Sequence, residues 1–143
     1  IKKIINEKIK DRDFWMPFAC SILEEKAQTY LKLDSNISSY AYMTNACDST
    51  EEGRKRIPAG LHPYDETCRP NIILKDSNPG YEKLIKAFGD ITGTYAVLNT
   101  SFNLHGRPIV SSLSEATFVF LQSDLDALLT EKFLAVKLKG MVD

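Results

Sequence analysis

The sequence predicts a mixed sheet with helices packed on it, an α/β or α+β class, and three observations carry that prediction. Helical and strand-like segments are interleaved without a strict strand–helix rhythm. A short apolar run, Tyr95 to Leu98, empties into small hydrogen-bonding side chains at Asn99, Thr100, Ser101 and Asn103, followed by Gly106 and Pro108. Strand ends of this kind open the crevices where α/β sheets bind ligands, although the same residue types also shape turns for purely local reasons. The 143 residues are 43 % hydrophobic and 26 % charged, the balance of one soluble domain with a real core.

The elements follow from periodicity and punctuation. Ile1, Ile4, Ile5 and Ile9 recur at helical spacing, with Lys2, Lys3, Lys8 and Lys10 outside the stripe, so the chain opens on an amphipathic helix. Lys10-Asp11-Arg12-Asp13 breaks it, and Phe14-Trp15-Met16-Pro17-Phe18 forms an apolar knot. Ser21 and Glu24 have capping-box spacing before Ile22, Leu23, Ala27, Tyr30 and Leu31, predicting a second helix. Tyr40 to Ala46, Ile57 to Leu61 and Arg69 to Leu74 read as strands, with a polar loop from Asp48 to Arg56. Asn78-Pro79 starts a helix whose apolar face is Tyr81, Leu84, Ile85 and Phe88 and which Gly89 ends. After the Tyr95–Leu98 strand, Ser112 and Glu115 cap a helix through Gln122, and Ala127 to Leu129 and Leu134 to Leu138 supply closing strands.

Composition excludes several function classes. A formal net charge of −1 gives no general pull toward nucleic acid or an anionic membrane, and Arg54-Lys55-Arg56 has no interleaved aromatics. No apolar stretch is long enough to span a bilayer, and there is no secretory leader pattern. The three cysteines, Cys20, Cys47 and Cys68, are odd in number and lack paired spacing, which suits free thiols in a reducing, cytoplasmic setting. With His62 and His105 they match no zinc-site spacing, so no metal site is expected. Starting at Ile1 rather than Met, the chain reads as an excerpt.

Three polar groups are candidates for chemistry. Lys10 and Arg12 could grip phosphate against an apolar wall, or simply solvate a helix end. Arg69, at a strand entrance, could fork onto a phosphate or carboxylate, or pair with Asp65 or Glu66. Ser101 and Asn103 could hydrogen-bond a nucleotide or acyl phosphate, with Asn99 and Thr100 shaping the loop. There is no P-loop, no dinucleotide fingerprint, and no Gly-x-Ser-x-Gly elbow around Ser101.

Taken in order, four motifs resemble the C-terminal domain of the O-carbamoyltransferases, the family that carbamoylates antibiotics and nodulation factors. They are Ile9 to Asp13 with Pro17-Phe18-Ala19; Ile57-Pro58-Ala59 with His62 to Arg69; Asn99 to Asn103 with His105-Gly106 and Pro108-Ile109-Val110; and Leu125 to Leu128. The resemblance covers nearly the whole chain. It implies a twisted open, YrdC-like α/β fold, of the kind found in threonylcarbamoyl-adenylate synthases, over residues 1–143. It also implies a domain that binds ATP, with Mg²⁺, and carbamoyl phosphate, and forms carbamoyl-adenylate. A preceding actin-like domain, the partner in the same polypeptide, would carry a histidine-bound iron and pass the carbamoyl group to an acceptor hydroxyl. Carried over by position, Lys10 and Arg69 would contact phosphates, Ser101 and Asn103 the nucleotide or adenylate, and Arg12 would support them; Lys10, Arg69 and Ser101 would be catalytic.

Three positions depart from the family pattern. Met16 stands where an arginine is usual, Arg107 where a glutamate is, and Asp65-Glu66-Thr67 replaces Asp-Gly-Thr. A second reading rests on Met16 and Arg107: a non-catalytic scaffold that docks to the actin-like domain. The third, a nucleic-acid-binding module, is the weakest at this net charge.

Overall fold

The computed structural model describes residues 2–11, 13 and 16–138. They form two compact units, Pro17–Thr100 and Ile1–Met16 with Ser101–Asp143. Arg12 and Trp15 lie outside the described residues.

The Pro17–Thr100 unit is built on a three-stranded mixed sheet, which bears out the expected class as α+β. Strand β1 (Ala19–Leu23) is central, with β4 (Asn71–Ile73) parallel on one side and β5 (Ala96–Asn99) antiparallel on the other. Between them lie the two-residue strands β2 (Cys47–Asp48) and β3 (Thr67–Cys68), paired antiparallel. No sheet among the described residues closes into a barrel.

The sheet buries both faces, and strand alternation divides the core accordingly. Ile22 and Ile72 point into a cluster with Ala27, Tyr30, Leu31 and Leu61. Leu23 and Ile73 join a second cluster with Ile85 of helix α4 (Pro79–Thr92). This two-sided burial explains why a helix was expected at Ile22 and Leu23. All five residues of β1 are buried, so the run lacks the alternation that marks a half-exposed strand.

The capping box expected at Ser21 and Glu24 is therefore not formed. Ser21 is inside β1, and helix α2 (Glu24–Tyr30) starts behind Leu23 with no side-chain cap. Two further expectations are corrected. The Tyr40–Ala46 and Ile57–Leu61 segments are not strands: Ile37–Tyr40 and Pro58–Gly60 are 3₁₀ turns, the second fixed by Pro58 at its first position. The polar stretch before it is a helix, α3 (Glu51–Arg56), because Thr50 accepts the Gly53 N–H at 2.9 Å and the charges match the dipole, acids first and bases last. Helix α4 begins as expected, with Asn78 accepting from the Tyr81 N–H, but runs past Gly89 to Gly93, whose φ of +75° closes it.

The other unit holds the chain start, helix α5 (Leu113–Gln122) and the hairpin of β6 (Ala127–Leu129) and β7 (Leu134–Val136). Ser112 caps α5 as expected, accepting from the Glu115 N–H, while the Glu115 carboxylate reaches back to the Ser111 N–H. The opening segment differs from expectation. A single α-turn, α1 (Lys2–Ile4), passes into a π-helical stretch at Ile5–Lys10, and the Asp11 N–H bonds to the Asn6 carbonyl five residues back. That wider winding turns Asn6 and Lys10 inward, both buried, while Ile4 stays exposed. Of the described isoleucines in the stripe, Ile5 and Ile9 are half-buried and Ile4 is exposed, so the fully buried positions are Asn6 and Lys10.

Candidate functional site

The polar turn after β5 is organised by a buried cation. Lys10 is only 3 % exposed, and its ammonium donates to the Ser101 carbonyl, to Ser101 Oγ at 3.2 Å and to Asn103 Oδ1 at 2.7 Å. The Ser101 hydroxyl donates to the same Asn103 oxygen at 2.6 Å. Asn103 Nδ2 in turn donates to the Leu104 and Arg107 carbonyls, at 3.1 and 2.7 Å. One asparagine therefore joins the ammonium to the far end of the turn.

The backbone completes the clamp. The Lys10 carbonyl accepts the His105 N–H at 2.9 Å, and the Phe102 carbonyl accepts the Val110 N–H at 3.1 Å. Asn6, also buried, donates to the Met16 carbonyl at 3.0 Å. Gly106 turns the chain at a φ of +76°, a conformation that costs a side chain about 1–2 kcal/mol. The result is a multiply hydrogen-bonded loop with Ser101 exposed, held over a buried positive charge.

Of the residues singled out from sequence, Lys10, Ser101 and Asn103 come together in one unit. The role differs from a simple phosphate grip, because the ammonium is engaged by the turn itself. Arg69 belongs to the other unit, exposed just before β4. The alternative that it pairs with Asp65 or Glu66 is not realised. Asp65 binds the Thr67 N–H and hydroxyl at 3.0 and 2.8 Å and faces His62 at 3.1 Å, which together hold its carboxyl below the usual range. Glu66 faces Arg54 at 3.4 Å. Among the described residues the Arg69 guanidinium has no hydrogen bond or ion pair, so it is available to an anion.

Sequence reasoning missed a polar cluster across the central sheet. Ser21 Oγ, fully buried, donates to Asn71 Oδ1 at 2.9 Å. Asn99 Nδ2 reaches Ser21 Oγ at 3.0 Å and Asn71 Oδ1 at 3.3 Å, and Asn71 Nδ2 donates to the Ala41 carbonyl. The cluster pins β5 to β1 and β4 just before the Ser101 turn begins. Its signal in the sequence was a serine inside an apolar run, which the capping-box reading absorbed.

Among the described residues no three metal-ligating side chains gather, and no helix is long and apolar enough to cross a membrane. The cysteines are free and buried, as their spacing implied.

Residues 1–137 match the family model described as carbamoyltransferase C-terminus. An uncharacterized protein of Methanocaldococcus jannaschii is 41 % identical over 138 residues, covering 96 % of this chain and 26 % of its own length. Nodulation protein NolNO of Sinorhizobium fredii is 35 % identical over 136 residues, covering 95 % of this chain and 20 % of its own. Nodulation protein NolO of Bradyrhizobium diazoefficiens is likewise 35 % identical over 136 residues, with 95 and 25 % covered. The chain thus spans a fifth to a quarter of the length of these relatives.

Proposed function

Because the chain belongs to the carbamoyltransferase C-terminus family, we propose that it binds ATP and carbamoyl phosphate and forms carbamoyl-adenylate for transfer to an acceptor hydroxyl. The observation that carries this reading is the Lys10–Ser101–Asn103 node, a preorganised turn over a buried ammonium. Adenylation places negative charge on the transferring phosphate and the departing pyrophosphate, and fixed cations and donors stabilise such charge without reorganising.

In this reading Lys10 is a positioning residue that fixes the turn and lends it positive charge. The exposed Ser101 hydroxyl, now donating to Asn103, swings to donate to a phosphate oxygen. Asn103 holds the loop closed beneath it. Arg69, exposed in the Pro17–Thr100 unit and without a partner among the described residues, is a guanidinium open to an anion. Mg²⁺ arrives on the triphosphate, its usual route into such sites. In this reading recognition of the acceptor falls to the actin-like partner with its iron.

Calorimetric titration with ATP and Mg²⁺ tests the reading, with Ser101→Ala and Arg69→Ala as controls. Binding that both variants weaken is the expected result. A folded protein that takes up no nucleotide, alone or joined to its actin-like partner, refutes it. The scaffold reading rests on Met16 and Arg107, at positions where the family resemblance implies an arginine and a glutamate. It predicts that Met16→Arg creates nucleotide binding where the native chain has none.

A further inference from the structure

We propose that the groove between residues 107–110 and α5 binds a flat organic anion carrying a single negative charge, gripped by Arg107. The groove encloses about 340 Å³, within the range of small-molecule sites. Pro108, Val110 and Phe118 give it apolar walls. The Arg107 guanidinium lies over the Phe118 ring, 4.9 Å from its centroid, and the ring is still 43 % exposed. Among the described residues this guanidinium makes no hydrogen bond or ion pair, so its in-plane N–H groups are open to a ligand.

Two features make Arg107 a prepared grip. Its backbone is tied at both ends, the N–H to the Leu104 carbonyl at 3.1 Å and the carbonyl to Asn103 Nδ2 at 2.7 Å. The cation–π contact with Phe118 restrains the planar fork, so less side-chain freedom is left to lose when a carboxylate or phosphate docks. The groove also sets a limit on charge. Glu115 lines it, and although Ser111 hydrogen-bonds that carboxylate at 2.7 and 3.1 Å, its charge remains. A single anionic group is matched by Arg107, whereas a polyanion meets Glu115 as a like charge.

If the function proposed above holds, the ligand is the nucleoside monophosphate part of an acyl-adenylate, which has one charge and a flat base; that identity rests on the earlier reading, the groove does not. The test is calorimetric titration of the intact protein with the methyl ester of adenosine 5′-phosphate, with benzoate as a probe free of nucleoside. We expect Arg107→Ala to weaken ester binding at least tenfold, Arg107→Lys to restore it only in part, and Glu115→Gln to improve doubly charged AMP more than the ester. Unchanged ester affinity in Arg107→Ala overturns the groove even if Ser101→Ala abolishes ATP binding, which leaves the adenylation reading intact. Arg107-dependent benzoate binding without any nucleotide binding keeps the groove and removes the adenylate as its ligand. A folded protein that binds neither probe overturns the proposal.

Discussion

Lys10 and Asn103, 93 positions apart in the sequence, meet at 2.7 Å, and this contact ties the opening π-helical stretch to the polar turn after β5. Hydrogen bonds to a charged donor contribute about 1.5–3 kcal/mol each. Replacing Lys10 by Met removes them from Ser101 and Asn103 while keeping most of the side-chain volume. The expected loss is about 2–3 kcal/mol in urea unfolding, with faster amide exchange at residues 101–107. Ser101→Ala, at an exposed position, should cost less than about 1 kcal/mol.

The Ser21 cluster should show coupling. Ser21→Ala leaves Asn71 and Asn99 short of a partner inside the sheet, at a cost of about 1–3 kcal/mol. In a double-mutant cycle with Asn99→Ala the two losses should fall short of additivity by about 0.5 kcal/mol or more. Strict additivity would mean that the three side chains do not act as a unit.

Glu66 holds a φ of +57°, in the left-handed region, at the position where the resembling family carries glycine. Glu66→Gly should therefore leave stability unchanged or raise it by up to about 1 kcal/mol, since relieved strain outweighs the exposed Arg54 pair. Glu66→Val should lower it. Thermal unfolding of the two variants checks the sign.

Gly53 is a packing glycine rather than a turn glycine. A Cβ there would sit 2.0 Å from the Tyr30 carbonyl oxygen, a backbone atom that cannot swing aside. Gly53→Ala should destabilise by about 1–3 kcal/mol despite alanine's higher helix propensity, by forcing α3 away from α2. A stabilised variant in chemical denaturation would contradict this packing.

The Glu115 carboxyl is held below its ordinary value, first by the Ser111 N–H and then by the Ser111 hydroxyl. A group with a depressed folded-state pKa stabilises fully above its unfolded value, near 4.3, and that contribution is lost as pH falls through the folded value. The start of α5 should therefore loosen only in acid, and Glu115→Gln should remove that acid-dependent component. Carboxyl chemical shifts followed from pH 7 to 2 read the midpoint directly.

Burial pushes the Cys47 thiol up to about 12 and the Cys68 thiol up to about 11. The thiolate is the nucleophile, so both should resist alkylation at pH 8 in the native state and react promptly once unfolded. Fast native labelling would mean that the β2–β3 pair opens readily.

Local signals carried much of the fold. Asn78-Pro79 and Ser112 with Glu115 started helices where expected, because caps act within one turn. Strands at Arg69–Leu74 and Tyr95–Leu98 were legible from apolar runs bounded by turn residues. The errors cluster where neighbours decide. Ala19–Leu23 is buried on both faces and so loses the strand period, and Thr50 capped a helix in a stretch whose charges read as loop.

The candidate site divides the same way. Ser101, Asn103 and Lys10 were marked as candidates by residue type, each beside a purely local reading, and were assigned roles only through the family resemblance. Sequence also determined the family, a mixed α+β class and unpaired thiols. Only the tertiary structure decided that Lys10 points inward. Helical spacing placed it on the wet side of an isoleucine stripe, but a π-helical winding rotates the faces, and the acceptors that make burial of its charge tolerable come from more than ninety residues downstream. Long-range hydrogen bonding has no period along the chain, so no pattern in the sequence could announce it.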